Sequence, residues 1–177
     1  MNLHMQITIS RRARSLSLII LAAVALITVT SLRISRPFAQ PVANFSGELR
    51  GLGRKCLDVR GPSTSNGTPV QLWDCVGVPQ QRWTLTSRGE VRGLGGKCLD
   101  VRGPSTDNGT PVQLWDCVSV PQQRWTLTPA GELRGLGGKC LDVRGPSTNN
   151  GTPVQLWDCV GVPQQHWVLI GRSAGGS

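Results

Sequence analysis

The chain has 177 residues, a formal net charge of +9, six cysteines and six tryptophans. This length favours one folded domain. Residues 1–46 hold five arginines and no acidic residue, so the rest of the chain carries only +4 (14 basic minus 10 acidic residues). Because the basic residues of that part alternate with Asp and Glu, the composition predicts a solvated surface and no nucleic-acid partner.

Residues 1–39 have the pattern of an export signal, with three arginines followed by the apolar run Leu16–Leu32. A small residue at Ala39 or Ala43 would suit cleavage. Alternatively, the apolar run stays in place as a membrane anchor with the remaining chain outside. Residues 40–46 are predicted to be a linker. The sequence therefore predicts a secreted, periplasmic or extracellular protein that meets a membrane only through such an anchor.

The remainder of the chain consists mainly of three copies of one sequence, repeated with a period of 42 residues. The repeats are 47–88, 89–130 and 131–172, with 36 of 42 positions identical between the first two and 34 of 42 between the last two. A fixed period of this size indicates supersecondary units that share one core. Residues 173–177 are expected to form a flexible tail. Any site in one repeat is expected in the others.

Each repeat contains two cysteines that are 19 positions apart. Behind an export signal this pattern predicts three disulfides, and pairing within each repeat is favoured because every unit carries its own pair. The alternative is a zinc site, but the chain has no CxxC spacing and its histidines do not recur with the cysteines. No metal or cofactor is expected. The predicted pairs are Cys56–Cys75, Cys98–Cys117 and Cys140–Cys159.

Each repeat offers four short β runs that are separated by turn residues. In the first repeat these runs are Gly47–Leu52, Lys55–Val59, Pro69–Cys75 and Arg82–Thr86. An Asn-Gly dipeptide between the second and third runs is a hairpin-turn signal, and it also begins an Asn-Gly-Thr glycosylation acceptor. Twelve short strands in three equal units predict an all-β fold, a small barrel with pseudo-threefold symmetry.

Alternation along the strands sorts the side chains of each repeat into two faces. Leu57 and Val59 share the apolar face, so Asp58, Gln71 and Trp73 are expected to project away from the central core. A carboxylate, an amide and an indole suit a sugar, whose C–H face lies on an aromatic ring while its hydroxyls donate and accept hydrogen bonds. The alternative is that Trp73 belongs to a satellite core and Asp58 caps a turn.

The second tryptophan of each repeat, Trp83 in the first, alternates with Leu85 on one strand face. This pattern predicts a core residue. The equivalent core tryptophans are Trp125 and Trp167.

Three short motifs resemble the ricin B-chain-type lectin family, whose repeat carries a CLD segment, a Q-[LI]-[WY] strand and a terminal QxW. They are Cys56-Leu57-Asp58, Gln71-Leu72-Trp73 and Gln81-Arg82-Trp83, and the other two repeats have the same motifs, with His166 inside the last QxW. The resemblance covers residues 47–170. It implies a β-trefoil that binds galactose-containing glycans or xylan.

The resemblance also implies which residues contact the sugar. This sequence departs from the family pattern at Gln80, because the family commonly has an asparagine immediately before the QxW glutamine. A glutamine is one methylene longer, so it reaches a different hydroxyl or none. The implied sugar-binding residues are Asp58, Gln71, Trp73, Gln80 and Gln81 in the first repeat, Asp100, Gln113, Trp115, Gln122 and Gln123 in the second, and Asp142, Gln155, Trp157, Gln164 and Gln165 in the third.

The sequence also bears on two other function classes, an enzyme and a protein-binding trefoil. An enzyme would need an activated nucleophile or groups with separated proton affinities, and the carboxylates are instead dispersed identically over three units. A protein-binding trefoil, an inhibitor or adhesion scaffold, stays open because fold alone does not settle function. Such a protein would be expected to have one loop that differs strongly from the others, whereas the loops 61–68, 103–110 and 145–152 differ at a single position.

Overall fold

The computed structural model describes residues 44–173, with side chains up to residue 171. The expected signal or anchor segment, most of the linker and the last four residues lie outside this part. Within 44–173 the chain forms twelve short strands and six one-turn 3₁₀ helices. None of the helices in this range has the length and apolar character that crossing a membrane requires. The expected all-β fold is confirmed.

Each repeat supplies four strands. The first contains β1 (Phe45–Arg50), β2 (Cys56–Val59), β3 (Thr68–Trp73) and β4 (Trp83–Leu85). The second contains β5 (Val91–Arg92), β6 (Cys98–Val101), β7 (Thr110–Trp115) and β8 (Thr126–Leu127). The third contains β9 (Leu133–Arg134), β10 (Cys140–Val143), β11 (Thr152–Trp157) and β12 (Val168–Ser173). The 3₁₀ turns are Leu52–Arg54, Pro79–Gln81, Leu94–Gly96, Pro121–Gln123, Leu136–Gly138 and Pro163–Gln165.

Six of these strands form a barrel. Strand β1 pairs with β12 and β4, β4 pairs with β5, and β8 pairs with β9. Two backbone hydrogen bonds of 2.7 Å complete the ring, from Trp125 N to Gly89 O and from Trp167 N to Gly131 O. Every repeat therefore contributes its first and last strand to the barrel.

The other six strands form three hairpins, β2–β3, β6–β7 and β10–β11, which cap one end of the barrel. The second strands of these hairpins also pair with one another, β3 with β7, β7 with β11 and β11 with β3. This arrangement of a six-stranded barrel under a threefold cap is a β-trefoil, so the expected architecture is confirmed.

The first strand begins earlier than the sequence indicates. Phe45 and Ser46 were assigned to the linker, but they pair with β12 on one side and with β4 on the other. The Ser46 hydroxyl lies 2.8 Å from the Thr84 hydroxyl. The last strand reaches Ser173, the first residue of the expected tail. The missed residues lack apolar alternation, and their strand conformation depends on partners that are distant in sequence.

The core forms between barrel and cap from the apolar faces of the strands. Leu57, Val59 and their equivalents in the other repeats are fully buried. Trp83 is also buried, and its Nε1 donates a 2.9 Å hydrogen bond to the carbonyl oxygen of Leu57. Trp125 and Trp167 make the same bond in their repeats. The expectation that the QxW tryptophans belong to the core is confirmed.

All six cysteines are paired within their own repeats, as the spacing predicts. The disulfides are Cys56–Cys75, Cys98–Cys117 and Cys140–Cys159. Each one fastens the first strand of a cap hairpin to the segment that follows its second strand. In the chain-entropy model a loop of this size contributes about 3 kcal/mol per disulfide. Their sulfurs are bonded to one another and are not thiolate ligands for zinc.

Candidate functional site

Strand pairing in each cap hairpin brings the predicted site residues together. Asp58 lies directly opposite Gln71, and Cys56 lies opposite Trp73. The alternating faces place these side chains away from the barrel core, as the sequence indicates. Asp58 and Gln71 are nevertheless only 4% and 5% exposed, whereas Trp73 is 38% exposed. The outer face therefore has a buried polar floor and an accessible indole at its edge.

The Asp58 carboxylate is held by two side-chain amides. Its Oδ1 accepts a 2.9 Å hydrogen bond from Gln71 Nε2, and its Oδ2 accepts a 3.1 Å bond from Gln81 Nε2. Burial raises the pKa of this carboxyl, and the two amide bonds offset part of the effect. A carboxylate has about four acceptor positions, so it still has capacity for a ligand hydroxyl. Asp100 and Asp142 have the same bonds and the same direction of pKa change.

Gln81 is fully buried, with 0% of its surface exposed. Its Oε1 accepts a hydrogen bond from Val76 N, and its Nε2 donates to Asp74 O as well as to Asp58. All its polar groups are thus used inside the protein. The expectation that this residue contacts a sugar is not supported by its position, and a positioning role fits better. Gln123 and Gln165 are buried and bonded in the same way.

The neighbouring glutamine, Gln80, is only half-buried. Among the residues that the structure describes, its side chain makes no hydrogen bond, so its amide is available to a ligand. In the second repeat the equivalent Gln122 lines an open cleft of about 640 Å³ together with Asp100, Gln113 and Trp115. Gln164 is half-buried in the third repeat. We refer to these three places as the first, second and third clefts, after the repeat that supplies the tryptophan.

Each cleft also receives a turn from another repeat. Gly151, from the third repeat, donates its backbone N–H to Leu72 O at 2.9 Å. A Cβ on this glycine would lie 3.8 Å from Cζ3 of Trp73 and 3.9 Å from Oε1 of Gln71. Its φ of 88° requires glycine, and Asn150 before it has no positive φ, which is the pattern of a type II turn. The dipeptide therefore serves a neighbouring repeat as well as turning its own chain.

Three polar side chains fasten this turn to the cleft. Asn150 accepts hydrogen bonds from Lys55 Nζ at 2.7 Å and from Asp74 N at 2.9 Å, and it donates to Asp74 Oδ2 at 2.8 Å. Lys55 Nζ also contacts Asp74 Oδ1 at 2.6 Å. Hydrogen bonds from Lys55 and Asn150 lower the pKa of the Asp74 carboxyl. We call this set the first inter-repeat latch.

The other two latches have the same bonds and complete a cycle through the repeats. They are Lys97, Asp116 and Asn66 at the second cleft, and Lys139, Asp158 and Asn108 at the third cleft. The sequence predicts these asparagines to be turn residues or glycosylation acceptors. In the folded protein each side-chain oxygen accepts two hydrogen bonds and each NH₂ group donates one, to an aspartate. The repetition of lysine before the first cysteine and of aspartate after the tryptophan was the available signal.

Comparison with known proteins agrees with this geometry. Residues 45–167 match the family model of the ricin-type beta-trefoil lectin domain. The chain belongs to this family.

Among solved structures, the lectin-family chain is similar to the designed threefold symmetric protein ThreeFoil, with 30% identity, a TM-score of 0.69, and coverage of 72% of this chain and 99% of that one. It is also similar to the agglutinin of Abrus precatorius, with 25% identity and a TM-score of 0.68 over 75% of this chain. That match spans 51% of the agglutinin chain. A curated protein of Salmonella typhimurium, the probable lipoprotein EnvE, is 52% identical over 31 residues, which are 18% of each chain.

Proposed function

We propose that this domain is an extracytoplasmic lectin with three equivalent sites for galactose- or xylose-type glycans. One observation carries the proposal, namely that every cleft combines a partly exposed indole with a buried, hydrogen-bonded carboxylate and a free amide. Membership of a lectin family supports carbohydrate as the ligand class.

The residues of each cleft make different contacts with a pyranose ring. Trp73 offers an apolar ring for the C–H face of the sugar. Asp58 accepts hydrogen bonds from hydroxyl groups, which a charged acceptor strengthens. Gln80 can both donate and accept at a third hydroxyl. Gln81 and Gln71 keep the carboxylate in place. The proposed site residues that meet the sugar are therefore fewer than the sequence motifs imply.

The proposed sites are open to solvent, so we expect each to bind weakly on its own. We expect a dissociation constant of about 1 mM per site, near −4 kcal/mol. Three sites on one body can add a factor of about 10²–10⁴ on a branched or surface-bound glycan when their spacing fits. The protein would act by holding glycan, and no residue is assigned to a chemical step.

An extracytoplasmic location is part of the proposal. Three disulfides within one small domain are typical of oxidising compartments. The short match to a probable lipoprotein points the same way, although it spans only 18% of that protein. Export can be measured directly by fractionating cells that express the full chain.

Glycan-array binding of the full chain tests the function. The variant with Trp73→Ala, Trp115→Ala and Trp157→Ala is expected to lose binding to galactose- or xylose-containing glycans while its near-ultraviolet circular dichroism still shows a folded core. Ile170→Ala is the control, because Ile170 is also an exposed apolar residue but does not line the second cleft or its equivalents. Unchanged binding in the triple variant would contradict the assigned sites. Absence of any glycan binding by the unaltered chain would leave the protein-binding scaffold as the function.

A further inference from the structure

Each cleft has one arginine at its rim, and none of the sugar contacts proposed above involves it. Arg60 directly follows strand β2, and it is exposed. In the second repeat the equivalent Arg102 lines the cleft together with Trp115 and Asp100. Arg144 is the exposed equivalent in the third repeat. The same cationic group therefore recurs beside every tryptophan platform.

Contacts in the first cleft fix where the guanidinium lies. Arg60 Nε donates a 3.0 Å hydrogen bond to Gln71 Oε1, and Nη2 is 3.5 Å from the carbonyl oxygen of Gly151. Gly151 and Gln71 both border Trp73. A guanidinium has five N–H donors, so three remain unused after these two contacts. The Arg60 guanidinium thus lies within the first cleft, close to the indole, and three of its N–H donors are unused.

These arginines differ from the other repeated arginines of the domain. Arg50 forms an ion pair with Glu48 at 2.8 Å, and Arg92 and Arg134 pair with their own glutamates. Within residues 44–171, by contrast, Arg60, Arg102 and Arg144 have no carboxylate partner. The nearby Asp58 is bonded by Gln71 and Gln81 instead. An unpaired guanidinium in a ligand cleft has the geometry and charge to take a carboxylate or sulfate in a bidentate manner.

From this placement, and resting on the proposed sugar-binding function, we infer that the clefts select anionic saccharides. The sugar ring lies on the tryptophan, the floor aspartate takes its hydroxyls, and the rim arginine takes a carboxylate or sulfate substituent. Neutral glycans of the same stereochemistry bind through the ring contacts alone. The arginine is thus a specificity-determining residue of each cleft.

Calorimetry with two matched trisaccharides tests the inference. Galactotriose and trigalacturonate differ mainly at C6, where the second carries carboxylates. We expect trigalacturonate to bind about tenfold more tightly, as one charge-assisted hydrogen-bonded pair allows. This preference should shrink as salt approaches about 1 M, where the screening length falls to about 3 Å. A sulfated galactose oligosaccharide forms a third arm, which distinguishes sulfate from carboxylate as the preferred anion.

The variant with Arg60→Gln, Arg102→Gln and Arg144→Gln is expected to lose the preference and to keep its affinity for galactotriose. Replacement of the same three residues by Lys should restore part of it, because lysine supplies charge without the planar fork. The charge-matched control replaces Arg82, Arg88 and Arg124 by Gln, since Arg82 and Arg88 line a different pocket and the change in net charge is the same. That control is expected to retain the full preference.

The outcomes separate this inference from the function on which it rests. Equal affinity of the unaltered protein for all three arms would overturn anion selection and leave the lectin proposal standing. An equal loss for neutral and anionic sugars in the Gln variant would overturn it as well, because the arginines would then support the shape of the clefts and not bind the anion. Failure to bind any arm would contradict the lectin proposal itself.

Discussion

The buried aspartate of each cleft is expected to set a pH limit on the proposed sugar binding. Burial raises the pKa of Asp58 above the ordinary aspartate value of about 3.9, with partial compensation by the two amides. At a pH between the ordinary and the raised pKa, the folded state binds more protons than the unfolded state. The contribution of this group to the free energy of unfolding therefore decreases as pH rises through that window. Asp74 acts oppositely, because its pKa is lowered and its stabilisation is lost as pH falls through the lowered value.

Sugar binding is therefore expected to weaken on acidification before an ordinary aspartate would titrate. The reason is that a protonated Asp58, Asp100 or Asp142 is a poorer acceptor for sugar hydroxyls. Calorimetric titration with galactotriose, a neutral ligand, over the range from neutral pH to the acid transition measures the midpoint. Circular dichroism over the same range is the control for unfolding. A midpoint below about 3.9 would contradict a raised pKa.

Replacing the buried aspartate of one cleft should lower the free energy of unfolding and remove one sugar-binding site. In Asp100→Asn, one of the two carboxylate oxygens becomes an NH₂ group that faces the amide donor of Gln113 or Gln123. A buried donor without an acceptor costs about 1–3 kcal/mol. Urea unfolding is expected to show this loss, and sugar titration is expected to show two sites in place of three. Asp107→Asn is the control, because the third repeat already has Asn149 there and Asp107 is exposed.

One position of the second repeat carries local backbone strain that its equivalents avoid. Ser119 has a φ of 61°, where the first and third repeats have Gly77 and Gly161 at 74° and 69°. Ser119→Gly is expected to raise the free energy of unfolding by up to about 1 kcal/mol, because only glycine adopts this region without steric cost. The reverse change, Gly161→Ser, should lower it by a similar amount. Thermal melts give the change in melting temperature of each variant. Changes of the same sign in the two variants would contradict the explanation by backbone strain.

Among elements, the strands were predictable and the connections between repeats were not. Alternation along β2 and β3 was enough to place Leu57 in the core and Asp58 and Gln71 on the outer face, and the structure adds the register that sets them opposite each other. The hairpin-turn interpretation of Asn150-Gly151 was incomplete, because the turn is of type II at the end of a longer loop and its partners lie 76 positions away or more. Periodicity reports the face of a residue, and it carries no information on which neighbour folds over that face.

The burial of Gln81 shows the same limit within one repeat. The QxW motif marks the residue, but its partners Asp58 and Asp74 become neighbours only when the 3₁₀ turn packs on the hairpin. A motif that recurs in sugar-binding proteins is therefore compatible with a contact residue or with a support beneath it. Only the exposed fraction of the side chain distinguishes the two roles.

The latches predict that an asparagine of one repeat supports the cleft of another. In a background with Trp115→Ala and Trp157→Ala, only the first cleft is intact. Adding Asn150→Ala should weaken sugar binding there, since Asn150 holds the backbone N–H of Asp74 next to the platform. Adding Asn66→Ala in its place should leave the affinity unchanged, because Asn66 serves the second cleft.

Calorimetry of the two variants gives the comparison, with thermal melts to show that each latch stabilises the fold. Asn150 and Asn66 occupy equivalent positions, so a general loss of stability would affect both to the same degree. Equal loss of affinity in both variants would contradict support across the repeat boundary.

At the scale of the whole molecule, the three repeats form a closed cycle in which no cleft is complete without a neighbour. The first cleft takes its turn from the third repeat, the second from the first, and the third from the second. The three clefts are therefore held in a fixed relation around one axis. A rigid arrangement of equivalent sites is what avidity requires, because binding at one site then brings the next to a defined distance from the glycan.

Sequential loss of platforms tests whether the three clefts act together. Variants with one, two or three of Trp73, Trp115 and Trp157 changed to Ala are compared on soluble galactotriose and on an immobilised galactose-containing polysaccharide. On the soluble sugar the number of sites should fall stepwise, with the affinity of each remaining site unchanged. On the immobilised polysaccharide the first removal alone should weaken retention by about tenfold or more, because each simultaneous contact multiplies the apparent affinity. A loss on the polysaccharide that is merely proportional to the number of platforms would show that the clefts bind independently, and their fixed geometry would then serve the stability of the fold.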